Sequence, residues 1–144
     1  MSLQNSFYRI VLLQFLFAPV LIKAQNNTEE LLMSLYSDGA FAQAKMEPNI
    51  LLKTDSLNYV AIDILSKIYE NEQHYPKAIK YYSQKFKIDS LALTARKLGS
   101  LYKEAEILVN AKQYYSYAHQ RNEVDILTIK GLAECHLMEE NLED

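Results

Sequence analysis

The side chains able to carry chemistry are few and scattered. The histidines are His74, His119 and His136, and Cys135 is the single thiol. Cys135-His136 with Glu139 is a partial metal-ligand set, but neighbours along a helix point to different faces, so no metal ligands are assigned. One cysteine also excludes an internal disulfide framework and a multi-cysteine zinc site. The carboxylate pairs Glu139-Glu140 and Glu143-Asp144 are terminal and solvated, whereas glycoside hydrolysis needs two carboxyls held across a cleft. No Gly-rich phosphate loop is present, so no cofactor-binding residues are assigned. Nothing here makes a catalytic set, and the expectation is a protein that is not an enzyme. Tyr81-Tyr82 and Tyr114-Tyr115-Tyr117 would suit a platform on which bases or sugars stack, in a chain with 11 Tyr and no Trp.

Composition describes what must position these residues. The chain has 144 residues, 49% apolar and 23% charged, which excludes global disorder. Three Gly and three Pro are too few for a sandwich or barrel, so helices are expected. A net charge of −3 argues against a nucleic-acid partner.

Residues 1–24 read as a secretory signal peptide. Arg9 supplies the positive start, Ile10 to Ile22 are apolar apart from Gln14 and Pro19, and Ala24 precedes the polar run Gln25-Asn26-Asn27-Thr28. The apolar stretch is short of the roughly 20 residues a membrane span needs. Ile22, bulky and three residues before the cut, departs from the usual pattern. The expected location is therefore periplasmic or secreted, with a membrane anchor through residues 10–22 as the alternative if the segment stays uncleaved. Removing it takes away Arg9 and Lys23 and no acid, so the mature chain is more acidic. Asn26-Asn27-Thr28 fits a glycosylation acceptor, though a polar start to the mature chain accounts for it.

The remainder repeats with a period of 33–34. Lys53-Thr54-Asp55-Ser56-Leu57 returns as Lys87-Ile88-Asp89-Ser90-Leu91, and Leu65 and Tyr69 return as Leu98 and Tyr102. Tyr75, Ala78 and Tyr82 return as Leu108, Ala111 and Tyr115, while Gly39 and Ala44 anticipate Gln73 and Ala78. Each unit reads as two helices. Ile62, Leu65, Ser66 and Tyr69 share one helical face, a polar turn follows, and Pro76 starts the second helix, where its missing N–H costs nothing. Asp89-Ser90 then ends the unit and can cap the next helix. Ala78 and Ala111 fall where paired helices cross most closely, with Tyr69, Tyr82, Tyr102 and Tyr115 filling the space around them. Recurrence at the period thus favours packing for the tyrosines, leaving Tyr81, Tyr114 and Tyr117 as less constrained candidates for a surface patch. His136 falls in the slot of Tyr69 and Tyr102 and reads as a core substitute, and Cys135 as a small buried hydrophobe.

Leu65-Ser66…Tyr69…Ala78…Tyr82 and Leu98-Gly99…Tyr102…Ala111…Tyr115…Ala118 resemble the tetratricopeptide repeat signature. The resemblance implies an all-α right-handed solenoid of about 3.5 helix-turn-helix units over residues 25–144, near 25–58, 59–91 and 92–125 with a partial unit over 126–144. Three departures stand out. Pro48 should kink or end its helix near Glu47. The turn between Tyr102 and Leu108 has no Gly, Pro or Asp. The sequence given stops where the fourth unit's second helix should begin, which reads either as a fragment of a longer chain or as helix 126–138 serving as the cap.

The resemblance also implies a concave face lined by the first helix of each unit. Residues left over there after core assignment are Val60, Asp63, Lys67, Glu70 and Asn71, then Leu93, Arg96, Ser100, Lys103 and Glu104. Charges of both signs alternate, and the family's terminal-carboxylate grip is not supported, because Asp63, Ile64 and Lys67 stand in one set of its places. The expected function is an exported scaffold that binds a protein or peptide along this face. The alternative is the extracytoplasmic sensor portion of a longer membrane signalling protein. Neither needs a cofactor or a small-molecule substrate.

Overall fold

In a computed structural model, residues 27–121 and 125–143 are described. The signal-peptide reading of residues 1–24 lies outside them. Helix α1 covers residues 27–37 and is followed by α2 (Phe41–Thr54), α3 (Tyr59–Asn71), α4 (Tyr75–Asp89), α5 (Ala92–Glu104), α6 (Leu108–Arg121) and α7 (Ile126–Glu143). There is no strand among the described residues. Each helix packs on the next in chain order from α2 to α7, and α5 also meets α7, which is the layout of a helical-repeat solenoid.

Local chemistry sets the boundaries. At each joint between units an aspartate holds the backbone two residues on: Asp55 Oδ1 accepts from Leu57 N at 3.3 Å, Asp89 Oδ1 from Leu91 N at 3.0 Å, and Asp125 Oδ1 from Leu127 N at 3.2 Å. Asn58 caps α3, its Oδ1 accepting from Ala61 N at 3.0 Å. Within each unit the first helix ends in one motif. Gly39, Gln73 and Glu106, spaced at the repeat period, all adopt positive φ, 72°, 54° and 60°. The next residue's N–H reaches five back, from Ala40 to Leu35 O, His74 to Tyr69 O and Ile107 to Tyr102 O. The turn with no Gly, Pro or Asp is therefore built like the others, with Glu106 held left-handed at a cost that Gly39 avoids.

Pro48 does not end its helix, and α2 runs through it to Thr54. Its missing N–H costs one bond to the Ala44 carbonyl, while its ring is fully buried, and Asn49 Nδ2 donates to the adjacent Lys45 carbonyl at 2.6 Å.

Burial follows the period. Ala44, Ala78 and Ala111 are each fully buried at the helix crossings. Three apolar clusters form, and each joins neighbouring units: Leu32 and Ala44 with Ile64 and Ile68; Leu65, Tyr69 and Ala78 with Leu98 and Leu101; and Ala111 and Tyr115 with Cys135. No unit closes a core alone, so stability is shared across interfaces.

Three sequence readings change. Tyr81 and Tyr114 are packing residues: Tyr69 stacks on Tyr81 at 5.6 Å, and Tyr102 on Tyr114 at 5.5 Å, the same pair one period later. Tyr117 is half-buried, edge-on to Phe86 at 4.9 Å and bonded to Ser90 O. His136 is not in the core; its side chain is 64% exposed. Tyr69 and Tyr102 are covered by the second helix of their own units, and among the described residues α7 has no such helix. The buried face of α7 carries Thr128, Gly131 and Cys135 instead. Burial pushes the Cys135 thiol above its ordinary pKa, which keeps it neutral.

Candidate functional site

The residues expected to line a groove lie on α3 and α5, and the structure divides them into two sets. Asp63 is buried, and it accepts from Lys67 at 2.7 Å and from Lys85 of α4. Burial alone would raise the Asp63 carboxyl, but the bonds from Lys67 and Lys85 outweigh it and hold it below the ordinary aspartate value. Glu70 is also engaged, accepting from Lys97 of α5 at 2.6 Å and from the Tyr82 hydroxyl, whose pKa is raised by burial and by that carboxylate. Asn71 is exposed and donates to the Tyr36 hydroxyl at 3.3 Å.

The second set surrounds a cavity. Arg96, Ser100 and Lys103 from α5 share a hollow of about 230 Å³ with Leu127, Lys130 and Glu134 from α7, and Tyr115 also lines it. Arg96 Nε lies 3.0 Å from Asp125, and Lys103 donates to Glu134. The bond to Glu134 raises the Lys103 pKa and outweighs burial, which would lower it, so its charge is fixed. Leu127 lines the hollow and is 57% exposed, and Leu93, one turn before Arg96 on α5, is 56% exposed. Glu104 is exposed and 3.5 Å from Lys103. Val60 lies elsewhere along the groove, in a separate hollow with Glu30 and Met33. The ten residues thus do not form one site.

Sequence reasoning missed Lys97, Leu127, Lys130 and Glu134. The repeat itself held the signal for three of them, since Leu127, Lys130 and Glu134 stand 34 residues after Leu93, Arg96 and Ser100. It also missed the fit around Tyr115. A Cβ on Gly99 would lie 2.8 Å from Tyr115 Cγ, and one on Gly131 within 2.6 and 2.7 Å of its Cε atoms, so the ring sits against two bare backbones. Chemically, the groove offers ammonium, guanidinium, hydroxyl and apolar surfaces. Among the described residues no group of three His, Cys, Asp or Glu is placed to hold a metal. No described helix is long and apolar enough to cross a membrane.

This is the fold of tetratricopeptide-repeat domains. No protein-family model and no curated protein sequence matches the chain. Among solved structures, it is similar to the C-terminal tetratricopeptide-repeat domain of a Plasmodium falciparum FK506-binding protein, with a TM-score of 0.68 and 18% identity over 82% of this chain and 90% of that one. It is also similar to PcrH, solved in complex with the chaperone-binding region of PopD, with a TM-score of 0.62 and 15% identity over 84% of this chain and 92% of that one. Identities this low carry the architecture alone.

Proposed function

We propose that this chain is an exported, non-enzymatic scaffold that holds a segment of a partner protein in the groove of its odd-numbered helices. The observation that carries the reading is the α5–α7 hollow, where exposed Leu127 lies among a set of positioned polar groups, with Leu93 also exposed one turn before Arg96 on α5. Ion pairs such as Lys103–Glu134 fix those groups before any partner arrives, so little ordering entropy is lost on binding. The mixed charges then select among partners more than they add affinity. The likeness to PcrH, whose structure contains a region of a partner protein, supports a binding role. Export rests on the pattern of residues 1–24.

A photo-crosslinking amino acid placed at Leu93 or Leu127, and at Val109 on α6 as a control, tests the reading in an extract of the source cells. Val109 is 74% exposed, so its surface is equally open to capture. Adducts of one partner from positions 93 and 127 and none from 109 are expected. Equal adducts from all three, or from 109 alone, would overturn the groove assignment.

A further inference from the structure

A third hollow, of about 690 Å³, is larger than either of those two cavities and shares no lining residue with them. It lies between α2 and the turn that joins α3 to α4. Its base is an aromatic stack: the Tyr69 ring lies parallel to Tyr81 and edge-on to His74 at 5.7 Å. Two ammonium groups stand over that ring, Lys77 Nζ at 4.9 Å and Lys45 Nζ at 5.9 Å from its centre. Lys45 is tied to Glu72 at 2.7 Å, but Lys77 has no carboxylate partner among the described residues. The α2 side is apolar, with Met46 and Ile50 64% and 53% exposed.

These features ask for one kind of occupant. A cation held over a ring keeps its other side open to an anion, and two lysines against one glutamate leave the hollow net positive. Exposed Met46 and Ile50 offer apolar surface within reach of those ammonium groups, and methionine adapts its shape to what it covers. A free inorganic anion would leave that surface wet. A nucleic acid would meet too few cations in a chain of net charge −3.

We propose that the α2–α4 hollow is a second docking site, which takes a peptide segment of a partner protein that carries carboxylates next to a leucine-sized apolar side chain. The carboxylate sits between Lys45 and Lys77, and the apolar side chain covers Met46 and Ile50. The site is independent of the groove, so the scaffold can hold two segments at once and gain from their linkage.

The probe is the fluorescent peptide acetyl-Ser-Asp-Leu-Glu-Leu-Asp-Ser-amide, titrated with the full chain by anisotropy, with aromatic NMR shifts as the second readout. Saturable binding is expected, with shifts at Tyr69 and His74. Joint substitution Lys45→Glu and Lys77→Glu should weaken it about tenfold or more. Lys77→Glu alone should weaken it less, and it puts an acid in the first turn of α4, where the helix N-terminus favours one, so the fold is kept and circular dichroism checks this. Met46→Ser should weaken binding without any change of charge. Leu93→Asp in the groove should leave it unchanged, which separates failure of this site from failure of the groove. The proposal is overturned by absence of saturation, by equal binding when lysines replace the probe's acids, by equal shifts with acetate alone, or by indifference to Lys45, Lys77 and Met46.

Discussion

Replacing Gly131 by alanine puts the packing of the last helix to a test whose sign is informative. Neither Gly99 nor Gly131 has a positive φ, so backbone freedom does not explain either residue. In a helix interior, Gly→Ala ordinarily stabilises by about 1 kcal/mol. Here the new methyl would stand 2.6 and 2.7 Å from the Cε atoms of Tyr115, inside the 3.0 Å that real Cβ atoms essentially never breach. The ring is 3% exposed and cannot swing into solvent without moving α7. Overpacking of this kind costs about 1–3 kcal/mol, which less that gain leaves Gly131→Ala destabilising by up to about 2 kcal/mol net. Gly99→Ala should sit at the top of that range, about 2 kcal/mol, because its methyl meets Cγ at the root of the ring, which has the least room to move. Urea unfolding followed by circular dichroism and by tyrosine fluorescence measures both, since the chain has no Trp. In a Tyr115→Leu background the clash is gone, and Gly131→Ala should turn neutral or stabilising, a reversal that only direct coupling produces. Stabilisation by Gly131→Ala to the same extent in both backgrounds would refute the close approach of α6 to α7.

Gln73→Gly and Glu106→Gly should each raise stability by about 0.5–1 kcal/mol, because glycine accepts the positive φ that both residues now hold under strain; thermal melts would show it. Asp63 has a depressed pKa in the folded chain. Its contribution is therefore full above the unfolded value of about 3.9 and is lost as pH falls through the lower folded one. Asp63→Asn should flatten the acid limb of a stability-against-pH curve and cost about 3 kcal/mol at neutral pH, since Lys85 would be left largely buried without its carboxylate. Cys135, fully buried and held neutral, should react with a thiol reagent only after urea unfolds α7; rapid labelling of the native chain would contradict its packing against Tyr115.

Much of the architecture is written in the period. Ala78 and Ala111, Tyr69 and Tyr102, and the recurrence of Lys-x-Asp-Ser-Leu marked helix crossings, ring positions and a unit joint before any coordinates. What the period could not express were polar contacts between helices. Asp63 and Glu70 read as groove residues because helical phase puts them on that face. Their partners Lys85, Tyr82 and Lys97 come from α4 and α5, 12 to 27 residues away, and no local pattern announces them. Gly131 was invisible for a related reason. One period earlier stand Lys97 and Leu98, so its smallness answers the Tyr115 ring rather than the repeat. His136 failed in the opposite direction: the repeat assigned it a core slot, but that slot is created by a second helix laid over the first.

The doubled use of groove charges bears on how the scaffold would bind. Glu70–Lys97 ties α3 to α5, and Lys103–Glu134 ties α5 to α7, so the groups facing a partner are those that set the spacing of the units. A partner's charge placed there competes with an existing pair and gains only the difference between the two, a fraction of the net worth of a half-exposed ion pair, itself about 0–1 kcal/mol. Charge in this groove can therefore reject a wrong partner, by forcing like charges together, more readily than it can hold a right one. Attraction falls to the apolar residues left open to solvent, Leu93 and Leu127, and to the part of Val60 that the core beside Ile64 and Ile68 does not cover. Val60, Leu93 and Leu127 supply one to each unit at steps of 33 and 34, a ladder that repeats with the fold. Helices in contact, as α5 and α7 are, have axes about 8–10 Å apart, which an extended chain spans in about three residues. A segment seated on two rungs would carry its apolar side chains three residues apart, the interval at which a polyproline-like strand also returns to the same face.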